Sequence, residues 1–292
     1  MRLPLIAAAT IWGGSLFAAD PGLLSLVMPD ARVLAGVNVE QVKASPLGRY
    51  YLTRIAQQRA SDPLHSVDIT GFDMWRDLRE VFFSASGLEK ESSGLVVARG
   101  TFDVSKIIAE AKAGNEAIET YHGVEIIDKG PPVAFLDATL AITGDPASVH
   151  AAIDRRQAPT VMSPAMALQV SQLSSTMDAW IFAYTASSGP APHDLSGILA
   201  KVQQISGGVR LGAQIVLTLQ AVSQTDADAA SFAEMVKVMG LGTAAPGAPA
   251  ALMQIGQALR ITVEGNTTKI SLSVPEALIE EIFKNPPAAE RQ

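Results

Sequence analysis

Cysteine is absent from the 292 residues, which excludes a disulfide framework, a thiolate nucleophile, a thiolate metal site and a lipid-modified cysteine. Aromatic residues make up only 5% of the chain, so a hydrophobic fraction of 48% must fill the core mainly with Ala, Val, Leu and Ile. This hydrophobic fraction is too high for a disordered chain. The length suits two domains of ordinary size.

Positive charge is also scarce. The chain has 22 Lys and Arg against 29 Asp and Glu, a net charge of −7. Its lysines and arginines form no cluster beyond the pair Arg155–Arg156, which is placed at the end of a predicted helix. Attraction to nucleic acid or to an anionic membrane surface is therefore not expected.

The first 19 residues have the pattern of a secretory signal. Arg2 is followed by Leu3–Ala19, which carries no charge and ends in small residues. An uncleaved anchor is the alternative, but a spanning helix needs ~20 apolar residues, and Gly13 and Gly14 interrupt this segment. Since no later segment is long and apolar enough to span a bilayer, we expect a periplasmic or extracellular protein.

Periodicity and turn residues predict an α+β fold. Ala31–Val39 and Gln214–Val222 alternate as strands do, and Gly265–Asn266 suits a hairpin turn. Asp103 and Asp145 are candidate helix N-caps. Further predictions are a helix over Asp194–Ile205, a strand over Gly208–Leu211, and hairpin turns at His122–Gly123 and Asp137–Ala138.

These elements repeat in one order: strand, helix, two strands, helix, hairpin and helix, with an extra strand pair in the first half. The order suggests two ferredoxin-like (split βαβ) halves with largely antiparallel sheets. A single extended sheet with helices on one side is the alternative. The predicted division is a signal peptide at 1–19, a linker at 20–30, an N-terminal α+β domain at 31–156, a connector at 157–176, a C-terminal α+β domain at 177–285 and a tail at 286–292.

Five segments that read as strands, caps and turns carry a resemblance to known proteins: Ala31–Asn38, Asp77–Val81, Val96–Gly100, Gly144–Ser148 and Ala151–Arg156. In these segments and in organisation, the chain resembles uncharacterised exported bacterial proteins that have a signal peptide and two weakly similar α+β halves. The resemblance covers most of residues 25–160 and implies a fold, but no activity and no functional residues.

The four histidines give no metal or catalytic signature. No two are spaced three or four residues apart, and no HExxH motif is present, so the sequence offers no helical zinc site. We interpret His122 as a hairpin-turn residue, His150 as a helix-surface residue, and His65 and His193 as loop residues.

Two other patterns have structural interpretations. Gly240–Ala245 matches G-x-G-x-x-A but follows a predicted helix, whereas a dinucleotide site needs a preceding strand. Asp73, Asp77 and Glu80 alternate with two arginines, which indicates a solvated, salt-bridged turn and not an acid/base pair. Walker and G-x-S-x-G motifs are absent, and we expect no cofactor.

The leading hypothesis is a non-enzymatic, exported binding or envelope-associated module that uses a sheet face or the cleft between the halves. Its partner would be a protein or small ligand of the cell envelope. Tyr50, Tyr51 and Tyr121 are candidates for a groove, although such residues often belong to a core or its rim. A hydrolase-type enzyme with scattered Asp, Glu, His and Tyr is the alternative. A third hypothesis is an exposed strand edge that pairs with a partner. No catalytic, cofactor-binding or metal-binding residue is assigned.

Overall fold

A computed structural model describes residues 21–50, 53, 74–88, 92–128, 130–159, 162–185, 198, 200–241 and 250–284. The described residues form one antiparallel sheet of twelve strands and nine helices. The strands are β1 (Val33–Asn38), β2 (Leu78–Ala85), β3 (Gly94–Gly100), β4 (Ala117–Tyr121), β5 (Val124–Asp128), β6 (Val133–Asp137), β7 (Leu140–Gly144), β8 (Ala179–Tyr184), β9 (Val202–Arg210), β10 (Gln214–Ser223), β11 (Arg260–Glu264) and β12 (Thr267–Pro275). The helices are α1 (Pro21–Leu24), α2 (Val39–Ala44), α3 (Met74–Asp77), α4 (Val104–Ala113), α5 (Pro146–Gln157), α6 (Pro164–Thr176), α7 (Asp226–Leu241), α8 (Ala250–Ala258) and α9 (Glu276–Lys284).

The strand order is β11-β12-β10-β9-β8-β1-β2-β3-β7-β6-β5-β4. The α+β class and the antiparallel sheet are therefore confirmed. The ferredoxin-like arrangement is not. A split βαβ unit separates two parallel strands by a third, but here β1 and β2 are direct antiparallel neighbours on either side of α2 in sequence. The sheet runs on from one half to the other because β1 also pairs with β8.

The repeated order of elements is visible in the sheet. Outward from the centre, β1-β2-β3-β7-β6 and β8-β9-β10-β12-β11 follow the same path. In each half a helix follows the third strand, and the second strand of a later hairpin, β6–β7 or β11–β12, pairs with that third strand. The N-terminal half then continues with the hairpin β4–β5. The division into two domains stays a prediction.

Side-chain alternation gives the sheet two apolar faces. The front face carries Leu34, Phe82 and Trp180, and it is covered in the N-terminal half by α1, α5 and α6. The back face carries Val37 and Ile215; it is covered by α2 and α4 in one half and by α7, α8 and α9 in the other. Helices thus pack on both sides of the sheet, not on one.

The segment predicted as a linker contributes to the front core. Leu23, Leu26, Val27 and Met28 are all buried. The buried guanidinium of Arg155 fixes this segment, since its Nε and Nη2 donate to the Leu26 carbonyl at 3.1 and 2.9 Å. Burial lowers the pKa of Arg155, although the negative charges of two nearby aspartates oppose the effect.

The helix predicted over Asp194–Ile205 is wrong at its C-terminal end, because Val202 begins β9. This strand lies inside the sheet, between β8 and β10, so pairing on both edges overrides local helical spacing. Gly207 has φ +150°, and a Cβ there would lie 2.1 Å from the Thr218 carbonyl oxygen. Close packing of β9 on β10 therefore requires glycine at this position.

Helix caps follow the predictions. Asp103 accepts from the Lys106 amide and begins α4. Asp145 begins α5 and accepts from the amides of Ser148 at 3.0 Å and Gly94 at 2.9 Å. Burial would raise the pKa of Asp145, but these hydrogen bonds outweigh it and hold the pKa below its ordinary value.

Within the described ranges, none of the helices has both the length and the apolar character needed to cross a membrane. The predicted signal at 1–19 and the predicted tail at 286–292 lie outside the described residues.

Candidate functional site

The hairpin β4–β5 brings several chemically active side chains to the outer edge of the N-terminal half. Its two-residue turn is His122–Gly123, with φ +47° and +82°. Positive φ at both positions is the geometry of the tight hairpin turn that follows the twist of the strands. The turn sets Tyr121 opposite Val124, with both side chains packed against the front core beside α5.

Five side chains meet between this hairpin and α5, and we call them the Tyr–His cluster: Glu119, Tyr121, His122, His150 and Asp154. The Tyr121 ring stacks on His150 with centroids 4.2 Å apart and meets His122 edge-on at 4.4 Å. Its hydroxyl donates to Asp154 at 3.2 Å. The Nε2 atoms of the two histidines lie beside carboxylates: His150 is 3.3 Å from Glu119, and His122 is 3.5 Å from Asp154.

The cluster combines two local rules. His150 and Asp154 are four residues apart on α5 and therefore share one helix face. Glu119 and Tyr121 are two residues apart on β4 and therefore share one strand face. Removal from water raises the pKa of Tyr121, and the hydrogen bond to Asp154 raises it further. The side chains of His122 and Asp154 are about half exposed, so the contact between them adds little stability.

A pocket of about 210 Å³ adjoins the cluster between the front of the hairpin and α5. This volume is below the ~300–1,000 Å³ of pockets for drug-sized ligands, so it suits one side chain or a very small molecule. Apolar groups form its floor, while Glu119, Asp128 and His150 bring polar atoms to its rim. The lining residues are Ala117, Ile118, Glu119, Ile126, Asp128, Pro132, Pro146, Val149 and His150.

Sequence reasoning placed His122 on a hairpin turn and His150 on a helix, and both placements are confirmed. It did not predict that they meet around Tyr121. Only the strand order brings the hairpin beside α5, and no spacing between the two histidines signals that contact. The salt-bridged turn predicted around Asp77 lies partly within the described residues, where Arg76 Nε is 2.6 Å from Asp77 Oδ1.

Several predicted features lie outside the described residues, namely His65, His193, Asp73, Tyr51 and the end of Gly240–Ala245 from 242 onward. Among the described residues, no group of three or more His, Cys, Asp or Glu is arranged to hold a metal ion. In the cluster, each imidazole instead lies against a carboxylate.

Comparisons with solved structures find the same fold. Crystal form III of the protein TP0453 matches with a TM-score of 0.54 and 11% identity, over 91% of this chain and 98% of that chain. Crystal form I of the same protein gives a TM-score of 0.53 and 10% identity, over 91% and 97%. No family model and no curated protein matches the chain. At this identity the likeness concerns the fold alone.

Proposed function

We propose that the chain is an exported, non-catalytic binding module that holds its ligand in the pocket between the β4–β5 hairpin and α5. The observation that carries the proposal is the Tyr–His cluster, which adjoins this pocket and shares Glu119 and His150 with its lining. The hairpin and the helix beside it each supply one of its two histidines and one of its two carboxylates.

The repeated architecture supports this location. The C-terminal half follows the same strand order as the N-terminal half and, among the residues that the structure describes, ends at β11 without a counterpart of β4–β5. The shared order therefore does not require the extra hairpin. An addition that carries Glu119, Tyr121 and His122 together is more readily explained by recognition than by stability.

Contacts in the cluster favour binding over hydrolysis. A hydrolase of the acyl-transfer type needs a nucleophile within hydrogen-bond reach of its base. Within the described part of the chain, the polar contacts of His122 and His150 are to carboxylates, and their ring contacts are to Tyr121. The raised pKa of Tyr121 keeps its phenol protonated near neutral pH, where it serves as a donor and not as a nucleophile.

Export forms part of the proposal and rests on the uncharged segment Leu3–Ala19 after Arg2. The test is fractionation of cells that produce the full chain, with mass spectrometry of the released N-terminus. We expect a mature protein outside the cytoplasm that begins near residue 20. Recovery of the intact chain in the cytoplasm would overturn this part of the proposal.

The binding proposal is tested by a thermal-shift screen of the purified protein against alkylamines, amino acids, sugars, nucleotides and short peptides. A ligand at ~100 times its Kd adds about 2.7 kcal/mol of stability. We expect Glu119→Gln to remove the shift. The matched control is Glu264→Gln, an exposed glutamate on β11, the free edge of the other half.

The hydrolase alternative is tested with p-nitrophenyl acetate. Turnover that His150→Ala abolishes while the protein remains folded would overturn the non-catalytic reading. Background hydrolysis that is equal in the two proteins would agree with it.

A further inference from the structure

We propose that the partner is an extended basic peptide segment, which adds as a strand to the free edge of β4 and places one lysine or arginine side chain in the pocket. This proposal rests on the proposed function, because it names the ligand of the same site. It joins three observations: an open strand edge, a pocket that opens beside that edge, and the charge of the pocket rim.

The strand edge comes first. β4 ends the sheet order, and in the described part of the chain no strand pairs with its outer side. An edge strand directs alternate N–H and C=O groups outward, where an extended peptide can pair with them. Such pairing gives affinity through the main chain, while a side-chain pocket at alternate positions gives specificity.

The position of the pocket comes second. Ala117 and Glu119 face the front on β4 and also line the pocket. A residue opposite Glu119 on an added strand would have its Cβ about 4.5–5.5 Å from the Glu119 Cβ. A long side chain at that position reaches the pocket, whereas side chains at the alternate positions turn to the back.

The chemistry of the pocket selects the side chain. Among the residues that line it, Glu119 and Asp128 carry negative charge, and neither lysine nor arginine is present. The lining also contains Ile126 and Val149, two aliphatic residues that are both buried. Lysine and arginine lay an aliphatic stem on an apolar surface and keep a cationic head at its rim, which matches this lining.

The other free edge lacks these features. β11 carries Arg260 as well as Glu264, and Glu264 is paired with a lysine, Lys269, at 2.5 Å. Glu119 on β4 also has a partner, but that partner is the imidazole of His150 at 3.3 Å, and no lysine or arginine lines the pocket. An incoming cation would therefore meet a carboxylate already neutralised by a lysine on β11 but not on β4. Charge complementarity therefore places the basic peptide on β4 and not on β11.

The test is fluorescence anisotropy with labelled peptides of seven residues, titrated with the purified protein at low salt. The probe alternates valine and lysine, and the comparison peptide alternates valine and glutamate. A third peptide has the lysine sequence with N-methylated amides, which cannot donate to a strand edge. We expect the lysine peptide to bind best, and both comparison peptides to bind at least about tenfold more weakly.

Variants then locate the site. We expect Glu119→Gln to weaken binding of the lysine peptide about tenfold and Glu264→Gln to leave that binding unchanged. Equal thermal melting of the two variants and the parent protein confirms that each is folded. Glu119 is more than half exposed, so its substitution should not disturb folding.

Each outcome is decisive. Equal binding of the glutamate peptide, or a loss caused by Glu264→Gln alone, overturns the proposal. Full binding of the N-methylated peptide overturns strand addition and leaves a lysine-binding pocket. If no peptide binds but the thermal-shift screen finds a ligand whose effect Glu119→Gln removes, the peptide ligand is overturned and the proposed function stands. If neither experiment detects binding, the peptide ligand and the proposed function are both overturned.

Discussion

The N-terminal and C-terminal halves of the sheet share a strand order and differ in how their faces are covered. In the N-terminal half the last helix, α5, packs on the front, where its Val149 and Ile153 are fully buried. In the C-terminal half the last helix, α9, packs on the back against Val274. Both faces of the N-terminal half therefore carry helices, whereas the described helices that pack on β10, β11 and β12 lie on the back.

Strand composition explains this difference. β7 is apolar on both sides, since Ile142 faces the front and Ala141 faces the back, and both are buried. Its counterpart β12 is apolar on one side only: Val274 is buried on the back, while Ser271 and Ser273 are exposed on the front. A strand order can thus be repeated while the alternation within each strand decides which face receives a helix.

The largest expected effect concerns the junction that makes the two halves one sheet. Trp180 on β8 lies over Gly36 of β1 and meets the Phe82 ring edge-on with centroids 5.5 Å apart. We expect Trp180→Ala to lower the free energy of unfolding by about 3–5 kcal/mol, because it leaves a cavity beside Gly36 and Phe82 where β8 pairs with β1. Denaturant unfolding followed by far-ultraviolet circular dichroism measures the loss.

If the halves act as one cooperative unit, Trp180→Ala should move the whole transition to lower denaturant, and Trp180→Phe should move it less. Two separate transitions, only one of which shifts, would contradict that unity. The halves would then be independent domains that share a sheet edge.

The next largest effect is the loss of stability when either of two helix caps in the N-terminal half is removed. Asp103 caps α4 only, whereas Asp145 caps α5 and also accepts from Gly94 on β3. We expect Asp103→Ala to cost about 1 kcal/mol and Asp145→Ala about 2 kcal/mol, because the second also leaves a strand amide without its partner. Equal losses in denaturant unfolding would show that the bond to Gly94 adds nothing.

The pKa of Asp145 gives this comparison a pH dependence. A carboxyl whose pKa is lowered by folding contributes stability above its unfolded pKa of ~3.9, and that contribution is lost as pH falls through the lower folded value. The difference between the parent protein and Asp145→Ala should therefore be constant near neutral pH and shrink in acid. A difference that grows in acid would contradict the assignment.

Local patterns predicted much of the fold. Alternation identified β1 and β10, the Gly265–Asn266 turn indicated the hairpin β11–β12, and cap residues identified the starts of α4 and α5. What could not be predicted is long-range: the pairing of β1 with β8 is specified by neither strand alone. The start of β9 was missed for the same reason, since Val202 is extended through pairing with distant strands.

The candidate site was missed more completely. Its two histidines were placed correctly on a turn and on a helix, but a turn residue and a helix-surface residue become a site only when the strand order brings them together. Tyr121 was considered for a groove, and it does lie at the centre of the cluster. The pocket itself has no sequence signal, because its floor consists of residues that any core would contain.

The smallest expected effect distinguishes an electrostatically connected cluster from a chance contact. Removal from water raises the pKa of Tyr121, and the Asp154 carboxylate raises it further as hydrogen-bond acceptor and as a negative charge. We expect Asp154→Asn to lower the pKa of Tyr121 toward the ordinary ~10 without restoring it fully. The matched control is Asp226→Asn, an exposed aspartate at the start of α7 in the half without the extra hairpin.

Nuclear magnetic resonance titration of the tyrosine ring carbons measures this pKa, and the loss of one signal in Tyr121→Phe assigns it. Asp226→Asn should leave the titration of Tyr121 unchanged. If Asp154→Asn also leaves it unchanged, the hydroxyl of Tyr121 is not coupled to α5 in solution. The hairpin would then lie beside the helix without its polar contact to Asp154, and the chemical difference between the two halves would be confined to the charge of their edges.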